Sequence, residues 1–215
     1  METKAYGGSY PDQRQMYFNT FAMKQLRDRV LHHLAATTKV YKDPQGVAAW
    51  EEQFTTVRER YKFLVLNGGA ATGKTEWALA YFAKRARTPE EYIIERDKML
   101  LLLCSGDTMP NLGKYRYGEH LGIVFDEGSP EMVWANRVVF LGLPELCTIG
   151  YSQTNLSCQE VCLSGCRIII TSSDWWERMQ YLTEAQQRWF EANSIVIDVV
   201  DPLYTDISLY NPSSW

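Results

Sequence analysis

The chain has 215 residues, 46% hydrophobic and 22% charged, which suits one globular domain with a small appendage and excludes collagen-like, coiled-coil and mostly disordered chains. Its longest apolar runs, residues 99–104 and 121–125, fall far short of the ~18 residues that cross a bilayer, so a soluble protein with no membrane partner is expected. Net charge is −4 but uneven: residues 1–114 carry 17 Lys and Arg against 13 Asp and Glu, and residues 115–215 carry 5 against 13.

Phosphate contacts come chiefly from Lys and Arg, so a nucleic-acid partner would be gripped mainly by the first half. Met1-Glu2-Thr3-Lys4-Ala5-Tyr6 shows no basic patch ahead of an apolar core, and no secretory signal is expected. Five cysteines, an odd number, then read as reduced thiols of an intracellular protein, in the host nucleus if viral and in nucleus or cytoplasm otherwise.

Residues 1–12 hold Gly7, Gly8, Ser9 and Pro11 and read as an irregular leader. From Gln13 to Thr38, Met16, Phe21, Leu26, Val30, Leu31 and Leu34 recur at roughly helical spacing. A second helix is predicted over Val47 to Arg60, after the breaker Asp43-Pro44-Gln45-Gly46. Residues 13–60 thus form a helical lead-in, a candidate for oligomerisation or nucleic-acid binding. Residues 61–200 alternate short apolar runs with helical stretches, the texture of an α/β sheet. Strands are predicted near Lys62–Leu66, Met99–Cys104, Gly122–Asp126, Arg167–Thr171 and Ser194–Val199, each apolar enough to be buried on both faces. Helices are predicted near Lys74–Arg87, Pro130–Leu141 and Glu184–Glu191, and residues 201–215 form a tail.

Gly68-Gly69-Ala70-Ala71-Thr72-Gly73-Lys74-Thr75 is a complete G-x-x-x-x-G-K-[ST] phosphate loop, entered from the strand-like Phe63-Leu64-Val65-Leu66 and left through a helix. Glycines let backbone N–H groups curl around phosphate oxygens, and the helix N-terminus adds its positive dipole end. In this pattern Lys74 reaches the β- and γ-phosphates and Thr75 ligates Mg²⁺, so the expected cofactors are ATP and Mg²⁺.

Gly122-Ile123-Val124-Phe125-Asp126-Glu127 is an apolar strand ending in two carboxylates, a Walker B motif of the hydrolytic kind. Asp126 is expected to hold the metal and Glu127 to orient the attacking water. A third strand ends in Thr171, Ser172 and Ser173, any of which can position that water, with Ser173 the first candidate.

In this order the three elements resemble the superfamily 3 helicase domain of the replication initiator (Rep) proteins of circular single-stranded DNA viruses, over residues 62–199. Gly73-Lys74-Thr75-Glu76-Trp77-Ala78 is similar to that family's loop and tryptophan-bearing helix. Leu101-Leu102-Leu103-Cys104 with Leu112-Gly113-Lys114-Tyr115 resembles its next strand and exit. Ile168-Ile169-Ile170-Thr171-Ser172-Ser173 resembles the strand that the family ends in Thr-Ser-Asn. The resemblance implies a P-loop NTPase with an AAA+-like parallel five-stranded sheet, preceded here by a small helical segment. It also implies a ring-shaped homo-oligomer that moves along single-stranded nucleic acid. An arginine completes the neighbour's site in that family; Arg188, in Ala185-Gln186-Gln187-Arg188-Trp189-Phe190, is the candidate by position, with Arg178 second.

The departures bear on function. Ser173 stands where the family has Asn, which implies slow hydrolysis. The family's DNA-contacting hairpin carries a lysine near paired glycines, whereas residues 147–165 have neither and read Tyr151-Ser152-Gln153-Thr154-Asn155. No nickase site is present: His32 and His33 are adjacent and point different ways on a helix, and Tyr81-Phe82-Ala83-Lys84 lies on the helix after the phosphate loop. Cys158, Cys162 and Cys166 recur every four residues and, on a helix, would share one face. Trp175-Trp176 can stack on bases or fill core. Two further readings stay open, a small-molecule P-loop kinase and a nucleotide-gated assembly or scaffold protein.

Overall fold

A computed structural model describes residues 40–151 and 158–205. The leader, the helix expected over 13–38, the His32-His33 pair, the hairpin tip and the end of the tail lie outside the described residues. The expected α/β class holds. A five-stranded, fully parallel sheet runs in the order β3 (Met99–Leu103), β4 (Gly122–Asp126), β7 (Arg167–Ser172), β2 (Phe63–Gly68) and β8 (Ser194–Val199). The strand that feeds the phosphate loop therefore lies between the fourth and fifth apolar runs of the sequence, and the Walker B strand lies one position beyond the fourth. This is the AAA+ strand order.

Alternation along the strands makes two cores, since successive side chains point to opposite faces. Phe63, Val65, Ile123, Phe125, Ile168 and Ile170 face one layer, and Leu64, Leu66, Val124 and Ile169 face the other. The first layer holds α4 (Pro130–Ala135), α5 (Arg137–Phe140), α6 (Trp175–Met179) and α7 (Glu184–Asn193). These helices contribute Met132, Val133, Phe140, Trp175 and Phe190, all sealed from solvent. The second layer holds α1 (Val47–Glu52) and α2 (Lys74–Ala80), through Val47, Trp50, Trp77 and Ala78. Each fully buried Leu, Ile or Phe removes apolar surface worth roughly 1.5–3 kcal/mol, and two such layers hold the central strand ends rigid.

Helix lengths depart from expectation for local reasons. α1 stops at Glu52 and tightens into a 3₁₀ turn, Gln53–Thr55, instead of reaching Arg60. The buried Gln53 amide bonds the Lys62 backbone from both sides, accepting from its N–H (2.6 Å) and donating to its carbonyl (2.9 Å), which turns the chain into β2. α2 ends at Ala80, a 3₁₀ turn follows at Ala83–Arg85, and a separate helix α3 (Pro89–Arg96) begins behind a Thr88 N-cap with proline in its first turn. The stretch expected as one helix from Pro130 breaks at Asn136, whose side-chain amide donates to the Met132 carbonyl (2.8 Å) and competes with the helix ladder. α7 runs two residues past its expected end behind a Thr183/Gln186 capping box.

Two small ladders lie outside the strands predicted from apolar runs, one of them within residues 147–165, where the resemblance implies a hairpin. β5 (Cys147–Tyr151) and β6 (Cys158–Val161) form an antiparallel hairpin between α5 and β7. β1 (Val40–Tyr41) pairs with β9 (Tyr204–Thr205), joining the lead-in to what the sequence marks as tail. The three recurring cysteines do not share a helix: Cys158 opens β6, and Cys162 and Cys166 both lie in the loop between β6 and β7.

Candidate active site

Parallel strands deliver their C-terminal ends to one edge of the sheet, and the chemically distinctive residues gather there. β2 ends at Gly68, where a Cβ would sit 2.2 Å from the Val199 carbonyl oxygen of β8; only glycine fits. The loop then passes Ala71, at φ 61°, and Gly73, at φ 82°, before α2 starts at Lys74. Gly73 is doubly constrained, by its left-handed backbone and by the Tyr204 ring, whose Cδ1 lies 2.7 Å from where a Cβ would be.

Lys74 is 5% exposed, and its ammonium donates to the Gly68 and Gly69 carbonyls, each at 2.7 Å. Burial lowers its pKa, and the nearby Glu127 and Asp126 carboxylates oppose that shift. The Thr75 hydroxyl donates to Asp126 Oδ1 at 2.5 Å, and the Thr171 hydroxyl donates to the same oxygen at 2.7 Å. Thr171, fully buried, also accepts the Glu127 N–H at 3.2 Å. Glu127 sits at φ 55°, a left-handed conformation that a side-chain-bearing residue adopts only when its surroundings impose it. Its carboxylate accepts from the Ser173 hydroxyl at 3.1 and 3.2 Å.

Lys74, Thr75, Asp126, Glu127 and Ser173 thus meet at one edge. Of the three candidate hydroxyls after β7, Thr171 binds the Asp126 carboxylate, Ser173 the Glu127 carboxylate, and the buried Ser172 lies 3.4 Å from Asp174. Arg188 lies apart, on the exposed side of α7, a helix on the sheet face opposite α2, and pairs with Glu184 one turn earlier. Arg178 is held by three carboxylates, Asp174 at 2.8 Å, Asp107 at 3.2 Å and Glu131 at 3.4 Å, and the Asp174 bond raises its pKa.

Three groups near this edge carry no motif. Asn67 accepts from the Trp175 N–H (3.1 Å) and donates to Asp198 (2.8 Å), which also takes the Trp176 indole N–H (2.7 Å). The half-exposed Trp176 is thereby fixed beside the loop, whereas Trp175 is core. The one hint in the sequence is a polar residue, Asn67, closing an apolar strand. Cys104 follows β3, and its N–H donates to the Asp126 carbonyl at 2.9 Å. Burial, helped by Asp126 and Glu127, pushes its thiol up to about 11. The third group is the β1–β9 ladder, whose Leu203 N–H bonds the Thr72 carbonyl of the loop at 2.9 Å.

The arrangement supplies a buried cation for phosphate oxygens, a hydroxyl and a carboxylate as hard oxygen donors 2.5 Å apart, and a second carboxylate held by a hydroxyl. Thr75 and Asp126 fit a small divalent cation that takes oxygen ligands and completes its shell with water and phosphate. Among the described residues no group of three or more His, Cys, Asp or Glu can hold a metal, and no helix is long and apolar enough to cross a membrane.

No protein-family model matches the chain, and no curated protein does. Among solved structures, it is similar to S. cerevisiae Hsp104 in an ADP complex (16% identity, TM-score 0.36, over 72% of this chain and 31% of that one). It is also similar to NtrX from Brucella abortus in complex with ADP (13% identity, TM-score 0.41, over 90% of this chain and 46% of that one). The chain spans less than half the length of either.

Proposed function

We propose that the chain is a Mg²⁺-dependent ATP hydrolase, with residues 61–200 as its catalytic unit. The observation that carries this reading is the convergence of Lys74, Thr75, Asp126 and Glu127 at the C-terminal edge of the sheet, around a phosphate loop whose Gly68 and Gly73 leave no room for a side chain. Backbone N–H groups of residues 69–75 and the Lys74 ammonium bind the β- and γ-phosphates. Thr75 and Asp126 hold magnesium, which when bound neutralises phosphate charge. Glu127 takes a proton from the attacking water, and Ser173, bonded to that carboxylate, orients it.

The order of motifs supports the replication-initiator type within this class: an ATPase that assembles as a homo-oligomeric ring, with Arg188 or Arg178 completing a neighbour's site, and acts on single-stranded nucleic acid. One observation favours a second reading, a nucleotide-gated assembly protein. The described part of the β5–β6 hairpin carries Glu160 and no Lys or Arg.

ATP turnover by the full chain, with and without single-stranded DNA, tests both readings. Glu127→Gln should keep ATP binding and cut turnover roughly 10²-fold, the scale of a lost general base, while Lys74→Ala should abolish binding. Undiminished affinity in a folded Lys74→Ala variant would refute the phosphate-loop assignment. Turnover indifferent to DNA would select the assembly reading.

A further inference from the structure

The β1–β9 ladder is built onto the phosphate loop. Leu203 donates its N–H to the Thr72 carbonyl (2.9 Å) and accepts the Lys42 N–H on its own carbonyl (2.8 Å). Leu203 is buried in the α2-side core, which anchors this point. One residue on, the Tyr204 ring lies against Gly73, with Cδ1 and Cε1 at 2.7 and 3.3 Å from the position of a Cβ, and Tyr41 stands 3.8 Å from the same position. The two tyrosine rings pack edge to face, with centroids 6.5 Å apart, and are register partners in the ladder. Farther along, Asp43 accepts from the Trp77 indole of α2 (3.3 Å) and pairs with Lys84 beyond its end (2.5 Å). The strap thus touches the phosphate loop at Thr72 and Gly73 and its helix at Trp77.

We propose that Tyr204, with Leu203 and Tyr41, is a positioning device for the phosphate loop, so that seating of the β1–β9 strap and nucleotide binding reinforce each other. The proposal rests on the phosphate-loop reading above. Gly73 is the hinge from loop to helix, and its left-handed backbone directs the N–H groups that follow it. Glycine alone has broad conformational freedom, so the ring packed on it and the bond to Thr72 narrow the loop toward its phosphate-ready shape. A ligand that binds only a fraction of conformers has its affinity reduced by that fraction. A loop left competent one time in ten without the ring would bind about tenfold more weakly. Coupling is reciprocal, so nucleotide must hold the strap down by the same factor.

The test uses the full chain and ADP or ATP with Mg²⁺. Nucleotide dissociation constants are measured for the unsubstituted chain, Tyr204→Ala, Tyr204→Phe and Lys74→Ala. Tyr204→Ala should raise the dissociation constant about tenfold, while Tyr204→Phe, which keeps the ring on Gly73, should stay within about threefold of the unsubstituted chain. Hydrogen exchange of the Leu203 amide in the unsubstituted chain gives a readout that needs no variant: saturating nucleotide should slow it about tenfold. Equal affinity for Tyr204→Ala in a folded chain overturns the proposal and leaves the phosphate-loop reading standing. If Tyr204→Ala does not fold, Leu203 exchange unchanged by nucleotide overturns it alone. No nucleotide binding by the unsubstituted chain removes the phosphate-loop reading and the proposal together.

Discussion

Thr171→Val isolates one buried hydroxyl at the point where the two carboxylate-bearing residues meet. The side chain is fully buried, donates to Asp126 Oδ1 at 2.7 Å and accepts the Glu127 N–H at 3.2 Å. Valine preserves the shape and removes both bonds. The first is a bond to a charged group, worth about 1.5–3 kcal/mol, although Asp126 Oδ1 keeps its bond from Thr75. The second leaves a backbone N–H in a left-handed turn without its acceptor, a loss of roughly 1–3 kcal/mol. Burial of the added methyl offsets part of this, and a net loss of about 2–4 kcal/mol is expected. For a chain of this size that lowers the thermal midpoint by roughly 5–12 °C. Turnover should fall about tenfold or more as Glu127 loses its fixed backbone, whereas ATP affinity, set by Lys74 and the loop, should stay within about threefold. Thr171→Ser keeps the hydroxyl and should lose only about 1 kcal/mol for the missing methyl, with near-normal turnover. Calorimetry and a coupled ATPase assay read both quantities. A Thr171→Val chain with unchanged midpoint and unchanged turnover would show that the hydroxyl orients neither carboxylate.

Two further predictions concern ionisation. The Lys74 pKa is lowered by burial, so as pH rises toward 10.5 the native ammonium loses its proton before the unfolded chain's lysine does. In that window the unfolded state binds more protons; Lys74 therefore adds stability as pH rises while ATP affinity falls, and Lys74→Arg, charged throughout, should flatten the affinity profile. Titration of nucleotide binding from about pH 8 upward checks this, and an affinity that holds or rises would contradict it. Cys104, raised from 9.0 to about 11, should alkylate at pH 8 roughly 10²-fold more slowly than in the denatured chain, as mass mapping after iodoacetamide can measure. Equal rates would place the thiol in solvent.

Much of the fold and part of the site were legible as sequence because their causes are local. A parallel strand buried on both faces is an unbroken apolar run, and Gly122–Asp126 and Ser194–Val199 have the very bounds that such runs predict. A phosphate loop is equally local, since its glycines, lysine and hydroxyl serve one turn of chain between one strand and one helix. Helix ends were less legible. The Thr88-Pro89 start of α3 was present as a signal, but the breaks after Glu52 and at Asn136 depend on side chains that bond backbone across the turn.

What only the tertiary structure decided is which distant groups share the sheet edge. Asn67 and Asp198 bond across 131 residues, Thr171 lies between Asp126 and Glu127, and Arg178 meets Asp107, Glu131 and Asp174 from three different strand exits. Tyr204 adds a second reason, beside the left-handed backbone, why Gly73 admits no side chain, yet nothing near either residue in the sequence announces the other. The physical reason is that strand order places one strand beside another regardless of their distance along the chain. A hydrogen bond or ring contact made across that order leaves no periodicity, spacing or composition for a linear reading to detect.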